Sequence, residues 1–82
     1  MGDFGMEEKV LNILKKIKSD IDIKDYDMDL FANDVLNSLA IVSILVMIEE
    51  TFSIVIDPED IVPENFQSMR TICRLIETYA RQ

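Results

Sequence analysis

The sequence predicts an all-α fold, a four-helix bundle with a long first loop and a short third helix. Hydrophobic residues recur at helical spacing in separate segments. Only two glycines and two prolines interrupt the chain, and 49% of its 82 residues are hydrophobic, which is enough for a core. The length fits one domain. We therefore expect a flexible N-terminal tail over residues 1–5 and a single domain over residues 6–82.

The first helix is predicted over residues 6–19 and is followed by a long ordered loop over residues 20–37. The inward residues of this helix are Met6, Val10, Ile13, Leu14 and Ile17. The loop alternates aspartate with apolar residues, but aspartate is a poor strand former and no second strand is available as a partner. Its apolar members are expected to pack onto the helices: Ile21, Ile23, Tyr26, Leu30 and Phe31.

The second helix is predicted over residues 38–52 and the last one from Ser68. The polar pair Asn37-Ser38 marks the start of the second helix. Its inward stripe is predicted as Leu39, Val42, Leu45, Ile48 and Phe52. Between the two helices, Pro58 begins a brief helical turn that ends near Pro63. The last helix is expected to bury Met69, Ile72, Cys73, Ile76 and either Tyr79 or Ala80.

The charge restricts the partners. Sixteen acidic against eight basic residues give a net charge of −8, which repels nucleic acid and anionic membrane surfaces. The longest apolar run, Leu39 to Ile48, is too short to span a bilayer, and the N-terminus does not resemble a signal peptide. With one cysteine no internal disulfide can form. We expect a monomer in the cytoplasm.

Catalytic and metal-binding groups are scarce. The chain has no histidine, and Cys73 lies on an apolar helical stripe, so a buried thiol is expected rather than a nucleophile. The series Asp25, Asp27 and Asp29 matches the start of a calcium loop. The required glycine and final glutamate are Leu30 and Leu36, however, so no metal site is predicted. We do not expect an enzyme.

Ser38 stands apart because it opens the most apolar helix after the long loop. Its position allows two interpretations. It can be an ordinary helix N-cap, or it can be esterified to a phosphate, whose charge is favourable at the positive end of a helix. Position alone does not decide between them.

The segments around Ser38 resemble the acyl carrier protein family. The run Asp34-Val35-Leu36-Asn37-Ser38-Leu39 is similar to the family's motif at the start of helix two. The helix that follows closes in Ile48-Glu49-Glu50-Thr51-Phe52, as the family's does. The segments 54–60 and 66–72 are similar to the approaches to its third and fourth helices. The resemblance covers about residues 6–81 in the right order.

The resemblance implies a carrier whose chemistry resides in a prosthetic group. Ser38 matches the serine to which a holo-acyl-carrier-protein synthase attaches 4′-phosphopantetheine from coenzyme A. The thiol of that arm would hold acyl or aminoacyl groups as thioesters. The implied partners are this synthase, a loading ligase, and downstream transferases or synthases of fatty acid, polyketide or related biosynthesis. The family's aspartate before the serine, which is associated with positioning the metal in the transferase complex, is Asn37 here.

A docking face is also expected on the second helix. Its residues are Leu39, Ala40, Ile41, Ser43, Val46, Met47 and Glu50. Related fatty-acid carriers place acids at several of these positions, whereas here only Glu50 is charged. We therefore expect an apolar partner groove, as for D-alanyl, polyketide or nonribosomal carriers. The alternative is that this face is buried in the bundle.

Two other functions remain open at this point. The chain can be an acidic helical interaction module without a prosthetic group, with Ser38 only a cap. It can also be a small-ligand carrier that uses its core as a pocket, although no polar group is marked out inside the core. A variant of the carrier hypothesis is a degenerate carrier that Asn37 makes a poor substrate.

Overall fold

The computed structural model describes residues 2–23 and 25–80, with side chains from residue 5 onward. Three α-helices make up the described chain: α1 (Gly2–Ile17), α2 (Ser38–Phe52) and α3 (Met69–Ala80). Two short 3-10 segments, Pro58–Asp60 and Pro63–Phe66, lie between α2 and α3. No strand occurs within these ranges, so the predicted all-α class is confirmed.

The predicted short third helix is present as two 3-10 segments rather than as an α-helix. A proline opens each 3-10 segment, and the ring of Pro63 prevents the first segment from continuing as a helix. The Asp57 carboxylate caps that first segment by accepting the Glu59 N–H at 2.9 Å. The described chain therefore has three α-helices, with two 3-10 segments where the short third helix was predicted, and the four-helix bundle is not confirmed.

The first helix begins earlier than predicted. Residues 2–5, which we expected to form a tail, belong to α1. One further turn costs little once a helix is nucleated, because each added residue gains one hydrogen bond. The helix ends at Ile17, where Lys15 and Lys16 suit its negative end. Met1, Lys24, Arg81 and Gln82 lie outside the described residues.

The core is formed by one face of each helix together with the long loop. α1 packs against both other helices. The buried apolar residues are Val10, Ile13 and Leu14 from α1; Leu30, Val35 and Leu36 from the loop; Ile41, Ile44 and Ile48 from α2; Ile56 and Phe66 from the α2–α3 connection; and Met69, Ile72, Cys73, Leu75 and Ile76 from α3. The inward stripes predicted for α1 and α3 are largely confirmed, and Leu75 was missed.

The long loop contributes to the core as predicted. Leu30 is completely buried, and Ile21, Ile23, Tyr26 and Phe31 are partly buried against the core. Tyr26 ties the loop to α3, because its carbonyl accepts the Arg70 N–H at 3.1 Å. The Arg70 guanidinium lies 4.7 Å from the centre of the Tyr26 ring and pairs with Asp27 at 2.5 Å. That pairing holds the pKa of Asp27 below its usual range.

The stripe predicted for α2 is partly wrong. Leu39 is 84% exposed and Val42 is 62% exposed, whereas Ile41 and Ile44 are buried with the correctly predicted Ile48. Nearly every residue from Leu39 to Ile48 is apolar, so the sequence offers no polar face from which to fix the orientation of the helix. Packing against α1 and α3 decides it instead.

Candidate functional site

Ser38 is the first residue of α2, and its side chain is exposed. The N-cap is the residue before it. Asn37 has an extended backbone, and its Oδ1 accepts the Ala40 N–H at 2.9 Å. Its carbonyl also accepts the Ile41 N–H at 3.1 Å. The interpretation of Ser38 as the N-cap is therefore wrong, and its hydroxyl is not occupied with capping.

Hydrogen bonds in the turn before α2 fix the position of Ser38 relative to the core. The buried Leu30 accepts two backbone hydrogen bonds through its carbonyl, from Val35 N–H at 2.8 Å and from Leu36 N–H at 3.1 Å. Val35 and Leu36 are themselves buried. Only Asn37 separates this anchored pair from Ser38, so the serine lies at a defined edge of the bundle.

The start of α2 is suited to an anion. Helix geometry leaves the first N–H groups without intrahelical acceptors, and Asn37 satisfies only that of Ala40 among those of Ser38, Leu39 and Ala40. The first turn of α2 contains no acidic residue. A phosphate ester on Ser38 Oγ would therefore meet free N–H donors and the positive end of the helix dipole. The residues present fit a phosphate-linked group.

The outward face of α2 carries most of the predicted docking residues. Leu39, Ser43 and Glu50 are exposed, and Val46 is 49% exposed. Ala40 and Met47 are half-buried and pack against the core.

Two positions on this helix differ from the prediction. Ile41, predicted to face a partner, is buried because α2 turns it toward the bundle. Val42, predicted to face inward, lies instead on the exposed face. Three apolar side chains therefore follow the serine along one side of the helix, and we call them the α2 apolar strip: Leu39, Val42 and Val46.

Large side chains at the centre of the core are fully buried. Phe66, Ile44 and Ile72 have no exposed surface. An open groove of about 430 Å³ lies between α1 and the loop. It is lined by Glu7, Leu11, Lys15, Ile21, Asp22, Ile23, Asp25, Tyr26 and Met69, and Ser38 does not border it.

Other chemistry is not assembled in the described chain. Cys73 is buried, as predicted. No group of three or more acidic or cysteine side chains in residues 2–23 and 25–80 is placed to hold a metal ion. Within the same residues, no helix has the length and apolar character needed to cross a bilayer.

Comparison with protein families identifies the class. The family model described as a phosphopantetheine attachment site matches residues 8–76, which is most of the chain. The chain belongs to this family, and its cofactor is covalently attached 4′-phosphopantetheine. The resemblance to acyl carrier proteins is thereby confirmed. No curated protein and no solved structure shows significant similarity to the chain.

Proposed function

We propose that this protein is an acyl carrier protein whose 4′-phosphopantetheine arm is attached to Ser38. The observation that supports this is the exposed Ser38 hydroxyl at the anion-favouring start of α2, inside the matched residues 8–76. On loading, the Ser38 oxygen forms a bond to the phosphate next to the pantetheine of coenzyme A. The pyrophosphate bond breaks, and adenosine 3′,5′-bisphosphate leaves. In this proposal the synthase supplies the general base that accepts the serine proton.

In this proposal the protein is a carrier and not an enzyme. The arm would hold acyl or aminoacyl groups as thioesters, and partner enzymes would supply the catalytic groups. The expected partners are the holo-synthase, a loading ligase and downstream transferases or synthases of fatty acid, polyketide or related pathways. We place the protein in the reducing cytoplasm, since its one cysteine, Cys73, is buried and cannot form an internal disulfide.

The partner surface proposed here is the α2 apolar strip together with Ser43 and Glu50. No charged residue occurs between Ser38 and Ile48, although the chain carries a net charge of −8. A partner groove for this face is therefore expected to be apolar and weakly charged. Ala40 and Met47 would border the contact, and Ile41 would support it from inside the core.

Intact-mass measurement tests the attachment site. Wild-type protein incubated with coenzyme A, magnesium and a broad-specificity holo-synthase should gain one phosphopantetheine group, and Ser38→Ala should gain none. Ser43→Ala is the matched control, since Ser43 is also exposed on α2, and it should be loaded like the wild type. Modification that survives in Ser38→Ala would contradict the proposed site. An unchanged wild-type mass with several synthases would instead favour an interaction module without the arm.

A further inference from the structure

The turn over residues 29–36, which we call the presenting turn, is organised by one carboxylate. Asp29 Oδ1 accepts the backbone N–H groups of Phe31 at 3.0 Å and Ala32 at 2.9 Å. The Asp29 carbonyl accepts the Asn33 N–H at 3.1 Å. The charged form of Asp29 is favoured by these contacts. The Ala32 N–H first and the Gln67 amide second hold the pKa of Asp29 below its usual range.

Gln67 joins the presenting turn to the segment before α3 through two hydrogen bonds. The Gln67 side-chain amide donates to Asp29 Oδ2 at 3.0 Å. Its backbone carbonyl accepts the Leu30 N–H at 2.7 Å. Gln67 itself follows the Pro63–Phe66 segment and precedes α3 by one residue. Asp29 therefore bonds the side chain of Gln67, and its neighbour Leu30 bonds the backbone of the same residue.

We propose that Asp29 is a positioning residue for cofactor attachment. Its bridge to Gln67 holds the presenting turn so that Ser38 meets the enzyme that attaches the arm in one defined place. This inference rests on the proposed attachment at Ser38. The described hydrogen bonds of Asp29 lie within the turn or go to Gln67, and none goes to Ser38. Its effect therefore passes through the turn and through Leu30, whose carbonyl holds Val35 and Leu36.

Loss of the bridge should therefore affect recognition rather than the chemical step. When only a fraction of the chains presents the serine correctly, the apparent affinity falls by that fraction. The KM for the carrier should rise, while kcat at saturation should stay the same. The amides of Val35 and Leu36 should also exchange their hydrogens faster, because local opening exposes them.

Exchange of the bridging groups provides the test. Gln67→Glu places two carboxylates against each other, and Gln67→Met removes the bridge without adding charge. Combining Asp29→Asn with Gln67→Glu restores one donor and one acceptor, keeps the acceptor for Phe31 and Ala32, and leaves the net charge unchanged. The measurement is the initial rate of loading against carrier concentration with a broad-specificity holo-synthase and coenzyme A. Circular dichroism confirms that each variant is folded at the assay temperature.

The expected result is a rise in KM of roughly 3- to 10-fold for Gln67→Glu, a smaller rise for Gln67→Met, and recovery in the double variant. Tyr79→Phe is the stability control. The Tyr79 hydroxyl bonds Asp57 and Asp60 of the α2–α3 connection rather than the presenting turn, so the KM of this variant should match the wild type. A wild-type KM in both Gln67 variants, or a KM equally raised in the double variant, would overturn the inference. If the proposed function is wrong, the wild type itself is not loaded. That result differs from a loaded wild type whose KM is unchanged in the Gln67 variants, which would overturn this inference alone.

Discussion

The Lys18 ammonium donates a 3.0 Å hydrogen bond to the backbone carbonyl of Asp34, four residues before the candidate attachment serine. The two side-chain charges also lie 3.9 Å apart. The bond joins the end of α1 to a residue in an unusual conformation, because Asp34 has a φ of 61°. Ser53, which ends α2, has a φ of 56°. These are the described non-glycine residues in the left-handed region, which glycine adopts without strain.

Glycine at either position should stabilise the fold. Asp34→Gly and Ser53→Gly each remove the left-handed strain of a side chain but increase the freedom of the unfolded chain. The net gain in free energy of unfolding should be about 0.5–1 kcal/mol. Chemical denaturation at neutral pH measures it. Asp34→Ala is the control, because alanine has no side-chain oxygen to ease the left-handed conformation, and it should be less stable than wild type. A loss of stability in both glycine variants would contradict the argument.

Two substitutions on α2 distinguish its faces. Val42→Glu puts a charge on the 62% exposed position and should change the free energy of unfolding by about 0.5 kcal/mol or less. Ile44→Glu puts the same carboxylate at a position with no exposed surface and should unfold the domain, because a buried charge without a partner is very costly. Circular dichroism melts of both variants measure the difference. Similar melting temperatures would contradict the orientation of α2 in which Ile44 faces the core and Val42 faces outward.

Asn37→Asp should strengthen both the helix start and the loading reaction. Aspartate keeps the acceptor for the Ala40 N–H and adds a negative charge at the positive end of α2, worth about 0.3–1 kcal/mol. It also offers an anionic oxygen, which magnesium prefers as a ligand. A barrier lower by roughly 1–2 kcal/mol would speed loading about tenfold. A loading time course by mass spectrometry measures this. Equal rates with every general synthase tested would refute the metal-positioning argument.

Tyr79 should make the stability sensitive to alkaline pH. Its hydroxyl accepts the Asp57 N–H at 3.0 Å and donates to the Asp60 carboxylate. The bond to Asp60, and then burial, raise the pKa of Tyr79 above its ordinary value of 10.0. Stability from this contact is therefore present below pH 10.0 and is lost as the pH rises through the higher folded-state pKa.

Comparison with Tyr79→Phe isolates this effect. Tyr26 also has a raised pKa, mainly through burial, but it is present in both proteins and its contribution cancels. The wild type should melt at a higher temperature than Tyr79→Phe at neutral pH, and the difference should shrink above pH 10.0. A difference that stays constant through the alkaline range would show that the hydroxyl does not titrate as argued.

The inward face of a helix could be predicted where charged residues on one side separate it from apolar residues on the other. In α3, charged Arg70, Arg74 and Glu77 interrupt the apolar residues at helical spacing, so the inward stripe was mostly identifiable. In α2 no such contrast exists between Leu39 and Ile48. Its boundaries were predicted correctly, but its orientation depends on packing that only the folded chain defines.

The candidate site was predicted in part. The position of Ser38 at the start of α2 followed from the sequence, which left open whether this serine caps the helix. In the structure Asn37 is the cap and Ser38 is the first helical residue. The link between Asp29 and Gln67 joins residues 38 positions apart. No local pattern encodes such a pair. The two prolines did mark the α2–α3 connection, although they divide it into two short segments rather than one.

The uncharged face of α2 has a consequence for the behaviour of the protein in concentrated solution. Each molecule must leave Leu39 and Val42 accessible, and such side chains would also adhere to the same face of another copy. At neutral pH the net charge of −8 keeps copies apart. Acidification neutralises the carboxylates but leaves the apolar strip unchanged, so we expect reversible self-association to appear first as the solution becomes acidic.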